Sequence, residues 1–590
     1  MSLKDLMMPA LLCLIWPADI SHAQPYQPAG QSGGFYTSLP DSARELINLA
    51  IPSAAAAAPE QKRKLLVFNM DIWDGEIRTG HPSIPYANYM LQLMGQRTGA
   101  YDTYFSHDTA VFRSEYLNGF DAICFNNTAG VLFEDPVLRN NLLEYVYSGK
   151  GFFGIHAAGA TFCQWPEYDQ FPEYGEMLGG YENGGHPWKP HEWITLKPEE
   201  PGHPINRAFG GERFEVSDEV FQFTEPYTRD RLRILLTIDT ERTDMSEDRY
   251  ILPERRADQD LAISWIRQYG RGRVFYTSLG HNAHINWNPK VLVHYLDGIQ
   301  FVLGDLPAPA IPSNKLTPAV EAREALGWRL GLAAYTFKDH TLFETIDRAV
   351  ELGMLYLGGL NEQQVSDSIR GNFDYNLNQE DLDAVRRKFL SSGVTLVSYY
   401  INDIPGDEES CRKIFEFGRK MGIETFISEP GPEALDLIEK YCEQYHIKLA
   451  IHNHGKDISP VYWDPYNILE ACRDRSPLVG ACGDLGYWSR AGINPVKAIR
   501  LLGDRLITLQ VHDLDETGPE GKDVAWGQGV LGLDAIIRQL AELGVKPVLF
   551  GLEFSRDWHR ERPEIKQSIE YFDGICLKVA GGLQEADHKQ

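Results

Sequence analysis

Glu429, Asp484, His512 and Glu553 each stand at the end of an apolar, strand-like run in the second half of the chain. Three carboxylates and one imidazole are a donor set for a divalent cation that prefers oxygen. A cation held there polarises a sugar carbonyl and an adjacent hydroxyl together, which acidifies the neighbouring C–H. One glutamate then removes that proton and the other returns it from the opposite face, by way of an enediolate. Taken singly, each residue has a plainer reading as a helix cap, a surface charge or a satisfied core histidine. Their joint placement at four strand ends is what singles them out.

The elements that must position them alternate regularly. Eight strand-like runs lie between 330–334 and 548–553, separated by stretches with helical periodicity such as 342–352, 381–390, 432–445 and 534–543. Eight strand–helix units over this length predict a (β/α)8 TIM barrel, whose chemistry sits at the C-terminal ends of the strands. In such a ring strands four and eight lie on opposite sides, so Glu429 and Glu553 flank a substrate across the mouth. A doubly wound sheet would not use eight units so evenly.

With 590 residues the chain is too long for one core. Residues 1–23 read as a signal peptide: Lys4, an apolar run from Leu6 to Trp16, and a small-residue site ending at Ala23. This implies a periplasmic or secreted protein. An arm follows over 24–61, with one short helix expected at 42–49. A first α/β domain spans 62–305, with strands expected at 65–69, 122–125, 151–155 and 273–277 and a parallel sandwich as its architecture. A proline-rich linker covers 306–327, and the barrel covers 328–580. The net charge of -27 argues against nucleic acid or an anionic membrane as partner. No run after the signal is long enough to span a bilayer. Self-association into a homo-oligomer stays open. Apart from Cys13 in the signal, the cysteines lack paired spacing and read as buried thiols.

In the first domain, Gly149 to Ile155 runs as a strand into His156-Ala-Ala, a sharp turn of the nucleophile-elbow kind. A histidine stands where glutamine amidotransferases of class I carry cysteine, so glutamine hydrolysis is not expected. His81, His186, His281 and His284 can converge on this turn and bind metal or act as acid and base.

Residues 328–580 resemble the sugar phosphate isomerase/epimerase family, the xylose-isomerase-like barrels. The carrying segments are Ala334-Tyr-Thr-Phe337, Ile451-His-Asn-His454, Gly483-Asp-Leu-Gly486, Arg490-Ala-Gly492, Gln510-Val-His-Asp513, Trp526-Gly-Gln-Gly529 and Gly551-Leu-Glu-Phe554. The resemblance implies a carbohydrate or polyol substrate and a divalent ion, Mn2+ or Mg2+ before Zn2+ or Co2+. It makes Glu429, Asp484, His512 and Glu553 the ligands, and Glu429, Glu553 and His454 the catalytic candidates. Tyr335, Asn453, Tyr487, Lys522 and Trp526 are its pocket candidates. The chain departs from the family at Tyr487, where a histidine is usual, and that affects the choice of substrate.

Residues 62–304 resemble the trehalose-utilisation (ThuA-like) family. The matching segments include Gly80-His-Pro-Ser-Ile-Pro85, Phe125-Asn-Asn-Thr-Ala-Gly130, Gly154-Ile-His-Ala-Ala158, Trp165 with Tyr168, and Gly272 through His281. The resemblance implies a class I glutamine-amidotransferase-like, flavodoxin-like α/β sandwich. It gives His81, His156, His186, Glu219 and His281 as site candidates, and a link to disaccharide and 3-keto-glycoside catabolism.

The reading that unites these features is a metal-dependent sugar isomerase or epimerase acting on a sugar or 3-keto-sugar. A carbonyl at C3 also allows elimination of the group at C1, which would make the barrel a keto-glycoside lyase. The rival of a different class is a secreted carbohydrate-binding protein with degenerate sites, favoured by Tyr487 and His156. Phosphodiester cleavage on the same barrel is disfavoured by the acidic charge and by the lack of a recognised histidine cluster.

Overall fold

The computed structural model describes residues 39–164, 170–183, 185–555 and 563–587. The signal peptide reading at 1–23, the first part of the arm, and Trp165 and Tyr168 lie outside them.

The C-terminal half is a closed barrel of eight strands in chain order: Leu330–Ala333, Tyr356–Leu360, Thr395–Tyr400, Thr425–Ser428, Lys448–His452, Val479–Asp484, Leu506–Val511 and Phe550–Leu552. Every neighbouring pair is parallel, and strand eight closes on strand one. The strands are short apolar segments whose residues are almost all buried, as parallel strands under a helical layer must be. Side chains start several of the helices between them. Thr341 and Glu344 form a capping box, and Asn378, Asp407, Asp464 and Asn494 each accept a backbone N–H at a helix start.

The N-terminal half is built on a nine-stranded sheet with one short sequence run per strand. Five strands are mutually parallel, in the spatial order Gly272–Thr277, Gly151–Ile155, Ala122–Asn126, Lys64–Phe68 and Asp102–Ser106. The expected all-parallel sandwich therefore holds for this part only. Ala262–Tyr269, Arg233–Ile238, Trp193–Pro198 and Phe214–Ser217 extend the sheet as an antiparallel wing. The switch is made at Gly270-Arg271, a two-residue hairpin that pairs Tyr269 with Gly272. Gly270 has a φ of +60°, and a Cβ there would lie 2.5 Å from the Tyr147 carbonyl oxygen. The helices Ile84–Thr98 and Pro289–Leu303 bury apolar faces against the sheet. The arm's helix is Asp41–Ala50.

The proline-rich stretch is docked rather than free. The Ser313 N–H donates to the Leu232 carbonyl, its Oγ accepts from the Ile234 N–H, and Arg233 donates to the Ile311 carbonyl. It also carries a helix, Pro318–Leu326, capped by Thr317. The two halves touch elsewhere through Arg386, which ion-pairs with Glu144 and places its guanidinium 4.2 Å from the Tyr147 ring centroid. Arg271 donates to the carbonyls of Tyr445 and His446. All seven described cysteines are free and buried. Among the described residues no helix is long and apolar enough to cross a membrane.

Candidate functional site

The barrel mouth encloses a cavity of about 450 Å3 (walls of Tyr335, Tyr400 and Tyr487, floor of Gly358, Ile427 and Leu509). Glu429, immediately after strand four, and Glu553, immediately after strand eight, both line it. Asp484 ends strand six and His512 follows strand seven.

Asp484, His512 and Glu553 come together: one ligating atom from each lies within 4.8 Å of the others, and all three residues are buried. His512 Nε2 stands 3.5 Å from Asp484 Oδ2 and 3.7 Å from Glu553 Oε1. Local sequence accounts for the closeness. Asp484 caps the helix Leu485–Arg490 through Oδ1, which accepts from the Tyr487 N–H and turns Oδ2 inward. Gly486 lets that helix start pass the imidazole, since a Cβ there would meet His512 Cγ at 2.9 Å.

Glu429 belongs to a second group. Its Oε1 accepts from His452 Nδ1 at 3.1 Å and pairs closely with His454 Nδ1. His452 links the groups, because its Nε2 lies 3.7 Å from Asp484 Oδ2. Of the four expected ligands, Glu429 and Glu553 thus line the cavity, while Asp484 and His512 lie buried beside Glu553, with His452 between the two groups.

His452 was not among the sequence candidates, although its signal was present. It ends strand five, and His452 and His454, two apart, project to the same face. Asp523 was missed as well. It accepts from His512 Nδ1 at 2.8 Å, from Ser555 N and Oγ at 2.9 Å, and from Arg490. Its position eleven residues beyond His512, in the loop after strand seven, gives no sequence clue to that contact.

Of the pocket candidates, Tyr335 and Tyr487 line the cavity. Asn453 is fully buried and exchanges two hydrogen bonds with the backbone of Asp484, at 2.9 and 3.1 Å, so it braces the strand-six end. Trp526 is buried against Phe572. Lys522 is exposed, with its backbone paired to Asp515. None of these three is a wall of the cavity.

The electrostatics are sharply divided. Burial pushes the Glu429 carboxyl up, but its hydrogen bonds to His452 and His454 outweigh that and bring it down to about 2. Burial would lower His452, yet Asp484 and Glu429 raise it to about 9. Burial and the charge of Asp484 raise Glu553, against the pull of His512.

Three buried atoms of the trio have no hydrogen-bond partner: Asp484 Oδ2, His512 Nε2 and Glu553 Oε2. Buried polar atoms in folded proteins are nearly always paired. These residues therefore fit a divalent ion, with Asp523 behind His512 as the carboxylate that orients a ligating imidazole. The pairing of two histidines with Glu429 also removes one argument against phosphodiester chemistry, which leaves the acidic charge as the ground against it.

A second cluster lies in the N-terminal half. His81, His156 and His281 converge, with His186 and Glu219 beside them. His284 does not join; it is exposed and near Trp287. Asp218, next to Glu219, accepts from the N–H groups of Gly280 and Asn282 and anchors the loop that carries His281.

Fold and sites define a two-part α/β protein in which a histidine-rich domain is joined to a TIM barrel with a carboxylate–imidazole centre. Residues 69–302 match the family model for ThuA, trehalose utilisation, and residues 432–575 match that for the xylose isomerase-like TIM barrel. The chain is similar to the uncharacterized protein y4fM of Sinorhizobium fredii, 28% identical over 123 residues, a match covering 21% of this chain and 39% of that protein. Among solved structures, an uncharacterized protein from Parabacteroides distasonis is 29% identical with a TM-score of 0.35, covering 42% of this chain and 98% of that one. A D-tagatose 3-epimerase-like protein is 16% identical with a TM-score of 0.35, covering 43% and 99% respectively.

Proposed function

We propose that the barrel is a divalent-metal-dependent isomerase or epimerase that moves a proton next to the carbonyl of a sugar or 3-keto-sugar. The observation that carries this reading is the trio Asp484, His512 and Glu553, buried with partnerless atoms, of which Glu553 lines the same cavity as Glu429. The match to the xylose isomerase-like model over 432–575 supports the reaction class. The match to ThuA, trehalose utilisation, supports a carbohydrate context.

Asp484, His512, Glu553 and Glu429 are the residues that would hold the ion. Their oxygen-rich set favours Mn2+ or Mg2+, with Zn2+ or Co2+ next. Bound there, the ion would act as a Lewis acid on the substrate oxygens. The protein's own groups do the rest. Tyr335, Tyr400 and Tyr487 give the cavity aromatic walls against which a sugar face can lie. Glu429 is kept ionised by two imidazoles, the form in which it can accept a proton from the carbon beside the carbonyl. Glu553, across the ring, returns a proton to the opposite face. His452 and His454 hold the Glu429 carboxylate in place. On a 3-keto-glycoside the same proton removal at C2 would expel the group on C1, and the enzyme would be a lyase.

The test is solvent-deuterium incorporation. Metal-replete protein in D2O is given free aldoses and ketoses, and separately 3-keto-glucosides. Deuterium at the carbon beside the carbonyl, lost in Glu429→Gln and Glu553→Gln, is the expected result. Aglycone release from keto forms alone would identify the lyase. Neither exchange nor release from any of these compounds would overturn the proposal in favour of a binding protein.

A further inference from the structure

We propose that His81, His156 and His281 hold a second divalent ion, of the nitrogen-preferring class typified by zinc, in the N-terminal domain. The three rings stand in a near-perpendicular triad with centroids 5.1, 5.2 and 5.3 Å apart. One ring nitrogen from each lies within 4.8 Å of the others. They come from three separate segments: the turn before the helix Ile84–Thr98, the end of the strand Gly151–Ile155, and the loop after Gly272–Thr277. His156 takes a positive φ of 44°, a conformation L-residues avoid, to deliver its ring.

The hydrogen bonds fix which nitrogens are free. His156 Nδ1 lies 2.8 Å from the Ser278 carbonyl oxygen, so it carries the proton and donates. Its Nε2 is then a bare lone pair, wholly buried and without a partner. His281 Nδ1 faces Asn282 Oδ1 at 3.3 Å. The Asn282 amide nitrogen is committed to the carbonyls of Pro190 and Ser217, so Oδ1 is the acceptor and His281 Nε2 is also a lone pair. His81 Nδ1 is buried and has no partner either.

His156 Nε2 and His81 Nδ1, buried and unpartnered, are costly in a protein interior. A cation at the centre would satisfy them together. An imidazole whose other nitrogen donates to an oxygen is the usual form of a metal-ligating histidine. Three nitrogen donors select zinc-like ions over Mg2+ or Ca2+, which prefer oxygen.

The fourth side is open. Glu219 Oε1 lies 3.7 Å from His281 Nε2 and 4.0 Å from His156 Nε2, and is held by His186 at 3.1 Å. A cavity of about 280 Å3 adjoins, bounded by Asp71, His81, Glu182, His186 and Phe221. Three imidazoles with an accessible fourth position are the arrangement of a reactive rather than a closed structural zinc site. This inference is independent of the barrel reading.

The experiment uses the full chain, stripped with chelator and titrated with Zn2+ and Co2+, with elemental analysis per chain. His512→Ala disables the barrel centre and leaves the N-terminal one. It should still retain one tightly held zinc, and Co2+ in its place should show the visible absorption of a low-coordinate nitrogen-rich site. Adding His281→Ala should weaken that zinc by more than about 100-fold and abolish the cobalt band. His81→Gln provides a second variant should the first fail to fold. The inference is overturned if His512→Ala binds no zinc, or if the folded double variants bind it as tightly.

Discussion

Replacing Asp523 by asparagine removes the charge behind His512 while keeping the side chain's size. Asp523 touches neither the cavity nor substrate; it is a positioning residue that accepts from His512 Nδ1 at 2.8 Å. The Arg490 guanidinium and two donors on Ser555 hold it in turn. Asparagine can still accept at Oδ1, but its amide can also rotate and present a donor to Nδ1, which would turn His512 or shift its tautomer. Loss of such a partner costs about 10- to 100-fold in metal affinity, or about 1.4–2.7 kcal/mol. The assay is calorimetric titration of apoprotein with Mn2+, beside deuterium exchange at saturating metal. Affinity should fall by that factor, with exchange largely recovered at high Mn2+ and thermal unfolding little changed. Unchanged Mn2+ affinity in a folded Asp523→Asn protein would refute the reasoning, because His512 would then need no orientation or would not be a ligand.

Other perturbations have equally definite outcomes. His452→Gln should cut kcat about 100-fold through misplacement of Glu429, even at saturating metal held by Asp484, His512 and Glu553, measured by exchange rate against metal content. Arg386→Ala strands the largely buried Glu144 at the contact between the halves and should cost about 3–5 kcal/mol in urea unfolding; less than about 1 kcal/mol would contradict the contact's role. His294 is wholly buried, bonded to Ile205 O and Ser264 Oγ, and burial pulls it down to about 4. Its folded value is depressed, so the stability is fully present above the unfolded value of about 6.5 and is lost as pH falls from there toward 4. Unfolding at pH 7, 6 and 5 should show this slope, reduced by one proton in His294→Gln. N-terminal sequencing of protein recovered from the producing cells should begin at Gln24 if the leader is removed after Ala23.

The barrel was legible because each strand is a short apolar run and several helices start at a capping side chain, and because functional residues at strand ends are local to those runs. Glu429, Asp484, His512 and Glu553 could be read for that reason. Relations that depend on the return of a loop could not. Asp523 reaches His512 only because the segment after strand seven folds back, with Leu514 bridged to Asp523. Alternation at the end of strand five explains both a miss and a misplacement: His452 and His454 share the cavity face, while Asn453 between them turns inward to brace Asp484. Trp526 went into the core by the same logic of burial. In the first half, the hairpin at Gly270 reverses a strand within a sheet whose apolar runs look alike in either direction, so the antiparallel wing escaped the reading.

The most direct measurement is anomalous diffraction from crystals of the active protein soaked with Mn2+. A single strong peak in the barrel mouth within bonding distance of Asp484 Oδ2, His512 Nε2 and a Glu553 oxygen, with Glu429 drawn toward it, is the predicted result. A fully active crystal form with no ion at that position, or with Mn2+ bound only by other residues, would contradict it.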